Sequence, residues 1–203
     1  EKFKYYHTNN DFEKRIVKLK DIKNHVLIES HKKTALESAQ KGIVLLKNND
    51  LLPLKTTTAK KRILVTGPNA NNQSILGDWH ANQPDDNVIT IFEGIQALGT
   101  QKGYEVNFFD SGENIRKIKD HKIKAATLLA KEVDYAIVVV GDNSMRYRWK
   151  DKTAGENMAR SVLDLPGKQL QLVQAIKETG TPVIIVLVNG RPISEPWLQQ
   201  NIP

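Results

Sequence analysis

The stretch from Gly141 to Arg160 gathers the carboxylates Asp142, Asp151 and Glu156, the cations Arg146, Arg148, Lys150, Lys152 and Arg160, and the rings of Tyr147 and Trp149. That mixture suits a sugar: carboxylates and amides meet hydroxyl groups, and an aromatic face meets the apolar C–H side of the ring. A carboxyl group taken partly out of water also has its pKa raised toward the value a general acid needs. Asp142, Asp151 and Glu156 are therefore the candidate carboxylates for acid–base work. Trp149 suits a stacking role or a loop anchor equally. Trp79, after Leu76-Gly77-Asp78, could line a sugar site, although core packing is the expected place for it, as it is for Trp197. Arg160, four residues after Glu156, could pair with it as ordinary helix support. Arg191, between Asn189-Gly190 and Pro192, reads as a structural turn residue.

Other chemistries find less support. The five histidines are scattered without ligand spacing and cysteine is absent, so no metal site, disulfide or cofactor is expected. Val65-Thr66-Gly67-Pro68-Asn69-Ala70 sits where a phosphate loop would, but it lacks the further glycines of a dinucleotide site and the Gly-Lys-Ser/Thr of a P-loop. Pro68 also removes an N–H that a phosphate would use. The net charge of +7 comes with lysines interleaved among acids rather than among aromatics, which describes a solvated basic surface and no nucleic-acid partner. No apolar run approaches the roughly 20 residues that span a bilayer, so no membrane partner is expected. The triplet Asn72-Gln73-Ser74 matches a glycosylation sequon, a pattern common by chance.

These residues need a scaffold, and the hydrophobic pattern supplies one. Leu36, Ala39, Ile43 and Leu46 recur at helical steps and predict a helix with one buried stripe, with Ser30 as N-cap and Asn48-Asn49-Asp50 as its end. Leu51-Leu52-Pro53-Leu54 reads as an extended apolar anchor. Arg62 to Pro68 reads as a buried strand, and Thr90 to Leu98 as a helix facing inward through Ile91, Ile95 and Leu98. Tyr104 to Phe109 reads as a strand, and His121 to Val133 as a helix with Ile123, Ala126, Leu129 and Ala130 inward. Asp134 to Gly141 is the strongest strand signal. A helix from about Gly167 to Thr179, a strand from Pro182 to Val188 and a helix from Ile193 to Gln200 follow. Apolar strands alternating with helices imply an α/β fold, a mainly parallel sheet flanked by helices on both faces, which is a three-layer sandwich. The segment from Asp142 to Pro166 leaves the carboxyl end of the strongest strand, where such sheets hold ligands. Residues 1–29 read as a linker or arm, and residues 30–203 as the sandwich domain, incomplete and truncated at its C-terminal end.

Four landmarks in order give a resemblance. They are Ala39 to Asn48 running into Leu51-Leu52-Pro53-Leu54; Ile63 to Ala70 with Leu76-Gly77-Asp78-Trp79 and Phe92-Glu93-Gly94-Ile95; Val138 to Asp142 with Gly155-Glu156 through Arg160 and Leu163 to Gln169; and Val186 to Pro192. From about residue 30 onward the chain resembles the second domain of family 3 glycoside hydrolases, the β-glucosidases, β-xylosidases and related exo-acting enzymes. The resemblance implies a retaining hydrolase of oligosaccharides or aryl β-glycosides. Its nucleophilic Asp would come from a preceding barrel domain of the same polypeptide, and its acid/base carboxylate from this domain. Glu156 matches the acid/base position, with Asp142, Trp149 and Arg160 as the substrate-binding candidates. The resemblance also implies a periplasmic or secreted enzyme, and an isolated domain that is inactive because it holds one carboxylate of the two.

Overall fold

In a computed structural model of the chain, residues 19–56 and 58–203 are described. The chain divides into two compact units, one up to Leu46 and one from Lys47 to Pro203. Most of the expected arm, residues 1–18, lies outside the described residues.

In the first unit, helix α1 spans Glu29–Gly42. It starts two residues earlier than Ser30 would cap it: Ile28 holds the capping position and makes no side-chain cap. The helix stops at Gly42, and Ile43 turns extended with φ −78° and ψ 128°. Two of the four residues of the expected stripe, Ile43 and Leu46, therefore fall outside the helix. None of the four is buried, which corrects the expectation of a core-facing stripe. The helix ends there for a local reason: glycine is a poor helix residue, and the β-branched pair Ile43-Val44 favours extended backbone.

The second unit is built on four strands, β1 (Lys61–Thr66), β2 (Tyr104–Phe109), β3 (Tyr135–Gly141) and β4 (Val183–Val188). They form one parallel sheet in the order β2-β1-β3-β4, with Ile63 opposite both Val106 and Tyr135, and Val138 opposite Ile185. Alternate residues serve opposite faces, the period-2 rule of a pleated strand. Leu64, Ala136, Val138, Val140 and Val183 face helices α3 (Asp120–Ala130), α4 (Gln169–Lys177) and α5 (Pro196–Asn201), meeting Ala126, Leu172, Val173, Ile176 and Leu198. Ile63, Val65, Val106, Ile137 and Val139 face the other way, toward α2 (Ile91–Gln101) through Ile91, Phe92 and Ile95, with Leu54 of the apolar anchor alongside. Helices on both faces of a parallel sheet make the expected three-layer α/β sandwich.

Within that frame two inward residues need correction. Leu98 of α2 and Leu129 of α3 are exposed. In α2 the sheet-facing side is carried by Phe92 and the buried Gly99 instead, where a Cβ would lie 2.6 Å from the Val106 side chain, and Thr90 and Glu93 close a reciprocal capping box at the helix start. Trp197 packs, partly buried, against the core as expected. Among the described residues no helix is long and apolar enough to cross a membrane.

Candidate active-site half

All four strands deliver their carboxyl ends to one edge of the sheet. The chain leaves β1 toward β2 on one side, while β3 lies on the other. The order of the sheet thus switches between β1 and β3, where open α/β sheets form a ligand crevice. The connections after β1 (67–90) and after β3 (142–168) meet there. Asn69 Nδ2 donates to the Asp142 carbonyl at 2.9 Å and ties the two strand ends together. Gly141 closes β3 with φ +136°, and a Cβ there would meet the Val188 carbonyl oxygen at 2.0 Å, so the approach requires a residue without a side chain. The buried Gln169 finishes the strand end. Its Oε1 accepts from Gly141 N–H at 2.9 Å, and its Nε2 donates to the carbonyls of Gly141 at 2.8 Å and Pro166 at 3.0 Å.

The connection after β3 is a folded body. Asn143 N–H donates to Thr153 Oγ1 at 2.8 Å, and Thr153 N–H donates back to the Asn143 carbonyl at 2.7 Å. Asn143, Met145, Lys152, Thr153 and Ala154 are buried at this closure, and Arg146–Asp151 forms two short 3-10 turns at the tip, kinked at Arg148 with φ −122° and ψ 50°. From β4's exit, the Arg191 guanidinium donates to the carbonyls of Thr153 at 3.0 Å and Met158 at 2.7 Å, so this residue staples the connection from beneath.

The three candidate carboxylates end in different settings. The Asp142 side chain is 1% exposed; its Oδ1 accepts from Arg160 at 2.8 Å, and Arg191 Nε lies 3.6 Å from Oδ2. Asp151 accepts from Asn114 Nδ2 at 2.8 Å and pairs with Arg148 at 3.2 Å. The Glu156 side chain is 43% exposed and pairs with Arg146. Arg160 therefore supports Asp142 and not Glu156, which corrects the i, i+4 expectation: residues 142–166 contain no α-helix to bring those two side chains together. Arg160 also donates to the carbonyls of Val162 at 3.2 Å and Asp164.

Trp79 is 71% exposed, which overturns its expected core position. Its backbone is left-handed at φ +62°, a costly conformation for a bulky residue and one that concentrates at functional sites. The Arg146 guanidinium lies over the Trp79 ring at 3.6 Å and 5.7 Å from Trp149, while the Lys152 ammonium sits 4.5 Å above Trp149. Trp149, half exposed, is thus both anchored by cations and open on part of its surface.

Asp78 is the group that pattern reading missed. It stands at the centre of the site: Oδ1 accepts from Lys152 Nζ at 3.0 Å and Arg146 Nε at 3.2 Å, and Oδ2 accepts the Glu156 backbone N–H at 2.7 Å. Burial works against ionisation of Asp78. The Glu156 N–H, the Lys152 ammonium and the Trp79 backbone N–H outweigh it and hold the carboxyl well below the usual carboxylate range. Beside this cluster a cleft of about 490 Å³ opens between the ends of β1 and β2, with Arg148 on its rim and the buried Ser111 in its wall. The Asn72 side chain caps the turn Gln73–Leu76 and donates to the Pro68 carbonyl at 2.6 Å, so within its sequon it serves the connection after β1.

A sequence model of the glycosyl hydrolase family 3 C-terminal domain matches residues 43–203. A β-xylosidase of Formosa agariphila is 35% identical over 86% of this chain, and the match covers 24% of that protein. The periplasmic β-glucosidase of Salmonella typhimurium is 33% identical over 81% of the chain and 23% of its own length. The chain therefore spans about a quarter of the length of these relatives. Among solved structures, a β-glucosidase involved in saponin metabolism from intestinal bacteria superposes with a TM-score of 0.74 at 26% identity, covering 88% of this chain and 27% of that one. An exo-β-xylosidase of the same family, solved with a xylobiose aziridine probe, gives 0.67 at 26% identity, over 85% of this chain and 20% of that one.

Proposed function

Because the chain belongs to glycoside hydrolase family 3 and corresponds to its C-terminal domain, we propose that it is one half of the active site of a retaining, exo-acting β-glycosidase, with Glu156 as general acid/base. The substrates are oligosaccharides or aryl β-glycosides, in keeping with relatives named as β-xylosidases and β-glucosidases. Residues 1–29 lead from a preceding barrel domain, and residues 30–203 belong to the sandwich. A retaining mechanism needs two carboxyl groups about 5–5.5 Å apart, one attacking the anomeric carbon and one protonating the leaving oxygen. The barrel supplies the nucleophilic carboxylate. Glu156 donates its proton to the departing oxygen, then takes one from the water that releases the glycosyl group.

The observation that carries this reading is the contrast among the three candidates. Asp142 is buried on Arg160 and Arg191, Asp151 is held by Arg148 and Asn114, and Glu156, although paired with Arg146, is the most exposed of the three carboxylates. Trp149 and the exposed Trp79 offer ring faces for the leaving sugar, while Asp142 and Arg160 shape the sugar site from beneath. The test is a comparison of leaving groups with Glu156→Ala in the full-length enzyme. General acid catalysis contributes about 10²–10⁴-fold, so kcat/KM on an unsubstituted phenyl glycoside falls by that order while a 2,4-dinitrophenyl glycoside, which leaves without a proton, is nearly spared. Equal losses on both substrates overturn the assignment.

A further inference from the structure

We propose that Asp78 is the positioning residue for Glu156, holding it from across the crevice between β1 and β3. The proposal rests on the reading of Glu156 as acid/base. Asp78 belongs to the connection after β1 and Glu156 to the connection after β3, so covalent structure near Glu156 does not fix one against the other. Asp78 does so twice. Its Oδ2 accepts the Glu156 backbone N–H at 2.7 Å, and its Oδ1 accepts from Arg146 Nε at 3.2 Å, whose terminal nitrogen pairs with the Glu156 carboxylate. Main chain and side chain of Glu156 are thereby both referenced to one carboxylate. Lys152, fully buried and 3.0 Å from Oδ1, fixes that carboxylate in turn.

Gly155 gives an independent sign that the approach is built in. A Cβ at Gly155 would lie 2.5 Å from Asp78 Oδ2 and 2.7 Å from Cγ, and the residue has φ +91°. Only glycine lets the carboxylate reach the next N–H. Asp78 is also a poor candidate for chemistry of its own. Both oxygens already face donors, and it stays ionised through the working range, so it has no proton to give. Its effect on the reaction passes through Glu156.

The experiment measures kcat/KM for Asp78→Ala, Asp78→Asn and Gly155→Ala in the full-length enzyme on a series of aryl β-glucosides and β-xylosides, from 2,4-dinitrophenyl to phenyl, with thermal unfolding as a control. Misplacing a catalytic group by about 1 Å can cost about 10²-fold. Asp78→Ala is therefore expected to lose about 10- to 100-fold on the phenyl substrate and less than about 3-fold on the dinitrophenyl one. Gly155→Ala, which leaves the Asp78 charge in place and pushes a methyl against it, shows the same selective loss, and Asp78→Asn a smaller one. A residue that only stabilises the fold would depress all substrates together. Equal losses across the series, or none, overturn the proposal. Glu156→Ala runs in the same series: if it lacks the leaving-group dependence the acid/base reading falls, and if it alone shows it only the role of Asp78 falls.

Discussion

Lys152 is a fully buried lysine, and its removal tests whether charge or packing holds the connection after β3. The variant Lys152→Met keeps the unbranched stem that fills the space and removes the ammonium. Deleting one partner of a buried ion pair costs about 3–5 kcal/mol when the other is left bare. Here Asp78 would keep Arg146 Nε at 3.2 Å and the Glu156 N–H at 2.7 Å, and its side chain is 14% exposed, so the carboxylate is not stranded. The loss is correspondingly smaller, about 2 kcal/mol, which for a domain of this size lowers Tm by about 4–8 °C. A double-mutant cycle with Asp78→Asn isolates the pair: residues in one network couple by about 0.5–3 kcal/mol, and about 2 kcal/mol is expected between these two. Urea unfolding followed by the fluorescence of Trp79, Trp149 and Trp197 reads each corner. A coupling near zero, or a Lys152→Met variant more stable than the parent, would refute the reasoning and show that the buried stem alone holds the connection.

Further outcomes follow from the same contacts. The Asp78 carboxyl is depressed in the folded state, so its contribution to stability is present above the unfolded value of about 3.9 and is lost as pH falls through the folded value. Acid unfolding should thus flatten below about pH 4 in Asp78→Asn relative to the parent. Gln169→Leu orphans the N–H and carbonyl of Gly141, each worth about 1–3 kcal/mol when buried. A loss of about 2–4 kcal/mol and faster hydrogen exchange at Gly141 are expected. Trp79→Gly removes both an exposed ring and a left-handed strain of about 1–3 kcal/mol. Its Tm should stay level or rise while KM for a disaccharide increases about 3- to 10-fold, the size of an aromatic contact; an unchanged KM would exclude the ring from the sugar site.

The sheet was legible because its strands are nearly continuous apolar runs, and β3 from Tyr135 to Gly141 can be read as nothing else. Local period failed where contacts at a distance decide burial. Leu98 and Leu129 fit helical spacing, yet the neighbouring helix faces carry Phe92 with Gly99, and Ala126 with Ala130. The α1 stripe failed for a different reason, since Gly42 ends the helix before the pattern does. At the site, sequence spacing located the crowded segment after β3 and the rival carboxylates within it. It could not rank Asp142 against Glu156, because their difference lies in Arg160 and Arg191 reaching Asp142 from other places in the chain. Asp78 was hidden for the same reason. The one local signal was the Gly77-Asp78-Trp79 triplet, which marks a turn, and the Gly155-Glu156 pair that receives it lies in another connection.

The most direct measurement is the product formed by Glu156→Ala in the full-length enzyme when azide is added with a 2,4-dinitrophenyl β-glycoside. A missing acid/base leaves the glycosyl-enzyme intermediate without a base to activate water, and azide needs none. The account predicts that azide raises kcat and is captured as the β-glycosyl azide, with retained configuration. No acceleration by azide, or an α-glycosyl azide, would contradict it.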